Sequence, residues 1–178
     1  MIGYVCECPD LRTLKGVARI FHARGDLIGK AVCGEPFFVS DELIERLDVA
    51  ATSEEVFQCF CDCEYGGFTV SALEGIKLAF NVEDENGLHL IARIIEYAGK
   101  ASVIKANVKP AVNEKYAFRA LMLRIGMGGR DYSACRRALL KKLSGNSAFA
   151  TAEGYEKFKE RRKSYGGKEA EAEGAESP

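Results

Sequence analysis

"FTVSALEGIKLAFNVEDENGLHLIARIIEYAG", residues 68–99, is the stretch on which the reading of the fold turns. Its first half holds two runs rich in β-formers, 67–72 and 75–82, with a turn expected around Glu74 and Gly75. Its second half changes period. Leu88, Ile91, Ala92 and Ile95 recur at helical spacing, and Gly99 stands where a helix would end.

Upstream, "IGYVCEC" from Ile2 to Cys8 alternates as a strand does, and Pro9 closes it. Leu11, Leu14, Val17, Ala18 and Phe21 then mark one face of a helix that Gly25 is expected to stop. "SDELIERL" predicts a short helix with Ser40 as N-cap and acids in its first turn. "TSEEVFQCF" predicts another, with Thr52 and Glu55 at capping-box spacing. Strands and helices interleave over 1–99, and the expected class is α+β, with a small mixed α/β N-terminal domain over those residues.

Downstream, residues 100–112 read as a strand or linker closed by Pro110, and they form the expected domain boundary. From Asn113 the pattern is helical. "EKYAFRALMLRIG" is apolar almost all round except at Lys115 and Arg119, which predicts a largely buried helix. "MGGRD" is a turn, Asp131 is a candidate cap, and "YSACRRALLKKL" is a second helix with Gly145 placed for a left-handed C-terminal residue. At ~100° per residue Tyr132, Cys135, Leu139 and Leu143 share one side, while Arg137 and Lys141 centre the other, flanked by Arg136 and Lys142. This predicts an αα-hairpin in a basic helical module spanning 113–165, onto which Phe149 folds back. Residues 166–178 have no aromatic or branched side chain to bury and are expected to be disordered.

The charge follows the same division. The 178-residue chain carries −1 overall, yet residues 1–112 hold 11 Lys+Arg against 17 Asp+Glu, 113–165 hold 13 against 5, and 166–178 hold 1 against 4. An acidic body, a basic module and an acidic tail point to a polyanion or acidic partner for the module; the alternative is that its charges answer those of the body. With 47% hydrophobic and 29% charged residues the composition is that of a globular protein. No apolar run reaches the ~20 residues needed to span a bilayer, so no membrane association is expected. The start, "MIGYVCECPDL", lacks the pattern of a secretory signal, and a cytoplasmic location with reduced thiols is expected.

Catalytic chemistry has little to stand on. His22 and His89 lie in no motif with a nucleophile or paired carboxylate. Cys6 with Cys8, and Cys59, Cys61 and Cys63, are spaced by single residues. On a strand that spacing puts sulfurs on one face but strains a shared tetrahedron, so small buried thiols are the leading reading and a zinc-stabilised module the lesser one. No catalytic residue, metal or cofactor is assigned. Lys115, Arg119, Arg130, Arg136, Arg137, Lys141 and Lys142 are the candidate contacts for a nucleic acid or protein partner. Backbone contact fits them better than base reading, since Ser133, Ala134 and Arg136 offer little at the start of the second helix.

Three pieces, "NEKYAFR", the leucine-rich helix ending at Gly126, and "LSGNSAF", make residues 113–149 resemble the C-terminal module of "virulence-related" proteins of bacterial mobile elements. More weakly, "GDLIGKAV", "SDELIERL" and "DENGLHLIARIIE" are similar in rhythm to ArdA-type antirestriction proteins. Those proteins imitate DNA with dense carboxylates, whereas the body here is only −6 and "SALEG" stands where acids belong. The resemblances imply a non-enzymatic accessory protein of a mobile genetic element or prophage. It would inhibit host defence, in the anti-CRISPR or antirestriction manner, by binding a defence protein or nuclease complex, with DNA or guide RNA met by the basic helix. A nucleic-acid-binding regulator of the element without a defence target is the alternative.

Overall fold

The computed structural model describes residues 1–72, 75–108, 111–151 and 153–161. It is a mixed α/β structure with small antiparallel sheets. Strand β1 (Ile2–Cys8) is followed by α1 (Leu11–Val32), β2 (Phe38–Val39), α2 (Asp41–Val49), α3 (Ser53–Asp62), β3 (Tyr65–Gly66), β4 (Phe68–Ser71), β5 (Ile76–Val82) and α4 (Glu85–Lys100). Helices α5 (Glu114–Arg124) and α6 (Ser133–Lys141) follow, and 153–161 are helical too. The main sheet runs β1-β5-β4, with Val5 opposite Ala79 and Phe68 opposite Phe80; β2 pairs with β3.

Alternation in the strands decides which side chains face the helices. Tyr4, Cys6 and Cys8 of β1 point inward with Leu78, Phe80 and Val82 of β5, while Val5 stays exposed. Phe21 of α1 meets this layer through edge-on contacts with Phe37, Phe68 and Phe80 at centroid distances of 5.4, 5.0 and 5.9 Å. Helix α4, capped by Asp84, lays Leu90, Ile91 and Ile94 against α1 and the sheet. The caps expected at Ser40 and at the Thr52–Glu55 box are present.

Gly25 does not stop α1. The helix continues to Val32, capped at its start by Asp10. Gly25 and Gly29 instead make room for the returning chain. A Cβ at either would collide with backbone at Phe37 or Glu35, and the Phe37 N–H donates to the Gly25 carbonyl at 3.0 Å. A helical glycine costs about 1 kcal/mol against alanine, and here that cost is offset by a close backbone crossing. Gly99 likewise lies within α4 and leaves space for the Thr13 hydroxyl, 3.1 Å from where its Cβ would be.

Residues 101–108 have no regular structure but are tied down across α1. Arg12 donates to the Ala101 carbonyl at 2.9 Å, His22 Nδ1 lies 2.6 Å from the Ala106 oxygen, and Ile104 packs on the core. Helix α5 is less buried than its composition implies. Only Phe118, Leu121 and Met122 within it are buried, and Tyr116 and Leu123 are exposed; α5 packs against α1 and α6. Helix α6 buries Cys135 and Leu139, with Leu143 just beyond its end, as its periodicity predicts. Asp131 does not cap it: Tyr132 holds the N-cap position without a side-chain bond, and the Ser133 N–H donates to the Arg130 carbonyl instead. The buried side chains of α5 and α6 belong to the same hydrophobic cluster as those of the sheet, α1 and α4. The tail at 166–178 and the turn at Glu74 lie outside the described residues.

Candidate functional site

The two ends of the 113–149 segment close on each other. Asn113 Oδ1 caps α5 by accepting from the Tyr116 N–H at 3.2 Å, while its amide nitrogen donates to the Asn146 and Phe149 carbonyls at 2.8 and 2.6 Å. Glu114 Oε2 accepts from both the N–H and the hydroxyl of Ser144, at 2.9 and 2.8 Å, and the Lys115 N–H donates to the Ser144 carbonyl. Gly145, at φ +92°, fits beside Asn113, where a Cβ would collide with the Asn113 side chain. The Ser-Gly-Asn-Ser turn after the basic helix is therefore a structural clasp. The Phe149 ring packs on Tyr155 and Phe158.

This clasp is joined electrostatically to the body. Lys30 Nζ reaches the other Glu114 oxygen at 2.7 Å, and Lys142 Nζ reaches Glu83 Oε2 at 2.7 Å. With Lys30 and both Ser144 donors on it, the Glu114 carboxyl is held down to about 2. Arg93 stands over the Tyr132 ring at 5.7 Å, a further link from α4 to α6.

The seven cations expected to form a surface thus divide. Arg136 is half-buried, and its guanidinium donates to the Met127 carbonyl and, at 2.8 Å, to that of Gly129, so it holds the turn between the helices. Lys142 is committed to Glu83, and Arg119 donates weakly to the Ser147 carbonyl at 3.4 Å. Arg130, Arg137 and Lys141 are exposed and Lys115 is half-buried; among the described residues none of these four has a side-chain partner. Arg137 and Lys141 stand one turn apart on α6, with Lys115 and Arg119 similarly spaced on α5.

The cysteines do not converge. Cys59 and Cys61 lie on α3, not on a strand, so ~200° of helix rotation separates them; Cys61 is exposed whereas Cys59 and Cys63 are buried. Burial pushes the Cys6 and Cys8 thiols up to about 11, leaving them protonated near neutrality. Among the described residues no three His, Cys, Asp or Glu side chains are grouped to hold a metal ion. His22 is nearly enclosed, its Nδ1 facing the Ala106 carbonyl and its Nε2 2.7 Å from Asp41 Oδ1; His89 is exposed. Among the described residues no helix is long and apolar enough to cross a membrane.

Sequence reading missed a second gathering of cations. Arg24 of α1, Lys105 of the 101–108 segment and Arg124 at the end of α5 line one cleft with Tyr97 of α4. They are 81 and 19 positions apart in the chain, and no local periodicity signals their meeting. In comparisons with protein-family models, with curated proteins and with solved structures, nothing matches this chain.

Proposed function

We propose that this chain is a non-enzymatic, cytoplasmic accessory protein of a bacterial mobile genetic element or prophage that blunts host defence by binding, in the anti-CRISPR or antirestriction manner. Residues 113–165 are its basic helical module, set on a mixed α/β body at 1–99. The observation that carries this reading is the pair Arg137 and Lys141. They lie exposed and, among the described residues, without a side-chain partner on a helix whose neighbouring cations, Arg136 and Lys142, are spent on holding it in place. Charged groups kept unpaired on a rigid element are ready to meet phosphates or carboxylates without first breaking internal bonds.

The experiment is cleavage of target DNA by CRISPR nucleases and restriction enzymes, with and without the full-length protein. Arg137→Glu with Lys141→Glu is expected to abolish inhibition at unchanged thermal stability. Full inhibition by that variant rejects the role of α6. The second reading, a nucleic-acid-binding regulator without a defence target, is favoured by the same two cations. Under it, labelled duplex DNA or single-stranded RNA binds in a salt-sensitive way with no nuclease present.

A further inference from the structure

We infer that the cleft between α1, α4, α5 and residues 101–108 is a binding site for a nucleotide unit, a phosphate joined to a flat, largely apolar base. The cleft has a volume of about 370 Å³, within the span of small-molecule sites. Its floor is apolar: Ile20 and Leu121 are buried and Ile104 is packed on the core. Tyr97 stands at its side, supplying an aromatic ring next to that floor. Around this floor stand Arg24, Lys105 and Arg124, and among the described residues no carboxylate lines the cleft.

That charge pattern sets it apart from its neighbours. The adjoining hollow at Arg12 and Arg19 contains Asp48, which takes Arg19 as an ion pair. The hollow at Arg93 and Lys100 contains Glu96, which accepts from both. Lys105 and Arg124 have no side-chain partner among the described residues, and Arg24 donates to the Ala23 carbonyl at 3.2 Å. Lys105 and Arg124, beside an apolar floor, repel one another unless an anion joins them, and an apolar wall strengthens each contact that forms. Guanidinium groups match phosphate oxygens in geometry, and a base resting on the floor beside Tyr97 would bury the remaining apolar surface. A bare anion leaves that floor uncovered. The site shares no residue with the exposed cations of α6 and does not depend on the function proposed for them.

The test is isothermal titration of the full-length protein with AMP, GMP, CMP and UMP in turn, with inorganic phosphate, and with a single-stranded RNA decamer. The variants are Lys105→Gln with Arg124→Gln, and Val103→Glu, which places a carboxylate on an exposed wall of the cleft without disturbing the core. A nucleotide source is indicated by one monophosphate bound per chain, roughly tenfold tighter than inorganic phosphate. Both variants should weaken it by about tenfold or more. Binding of the decamer alone, with the same loss in both variants, indicates that the unit belongs to a strand. Absence of binding by every probe, phosphate binding as tightly as any nucleotide, or variants that bind as the parent does each overturn the inference. Arg137→Glu with Lys141→Glu is expected to keep monophosphate binding, so this site and the α6 surface fail or stand separately.

Discussion

Arg136 and Arg137 are adjacent, chemically identical and differently employed. Arg136 turns back to the Met127 and Gly129 carbonyls, whereas Arg137 points to solvent. Charge-assisted hydrogen bonds to a turn are worth more than an exposed charge. Arg136→Ala should therefore lower stability by about 1–2 kcal/mol, while Arg137→Ala should change it by less than about 0.5 kcal/mol, both read from urea denaturation. The same contrast separates Lys142, paired with Glu83, from Lys141. Reversing all four charges together would mix lost contact with lost structure, so only the 137/141 pair cleanly reports on binding.

Helices here end and pack where partners allow rather than where composition alone suggests. Helix α1 passes through Gly25 and Gly29 because the 35–37 segment lies against them. Gly25→Ala removes a helix-weakening residue yet should destabilise by about 3 kcal/mol, since the added methyl meets backbone that cannot rotate away. Gly3→Ala, where nothing lies within 4 Å, should be close to neutral; thermal melts of the two variants make the comparison. At the start of α5, Glu114 joins Lys30 to Ser144. Its carboxyl is depressed in the folded chain, so its contribution is present above the ordinary glutamate range and is lost as pH falls from about 4.5 toward about 2. Glu114→Gln should cost about 2 kcal/mol at pH 7. The gap from the parent should shrink steadily through that window in denaturation measured across pH.

Over the whole molecule, charge is partly settled internally and partly left open. The Lys30–Glu114 and Lys142–Glu83 pairs answer some of the contrast between the acidic body and the basic segment. Among the described residues, Arg130, Arg137 and Lys141 are not answered in this way. If these cations meet a single strand, each phosphate contact contributes a slope of about −0.7 in log K against log salt. Neutralising Arg137→Gln with Lys141→Gln should make the slope shallower by roughly 1.4, measured by anisotropy over a salt series. A slope unchanged by the pair would place the contact elsewhere on the molecule.

Much of the scaffold is local and was legible as such. β1 is delimited by alternation and Pro9, the caps at Ser40 and Thr52 by hydrogen bonds a few residues long, and the inward face of α6 by its own period. The 113–149 segment also reads as two helices around a glycine turn. Sequence alone could not say that Gly25 is a crossing point, since the colliding backbone comes from Glu35 and Phe37 after the chain reverses. Nor could it sort Arg136 from Arg137, because a carbonyl seven residues away becomes a partner only once the turn folds over α6. The cleft of Arg24, Lys105 and Arg124 is the extreme case. Its members come from one helix, an irregular segment and another helix, and packing of α5 against α1 is what brings their charges to one place.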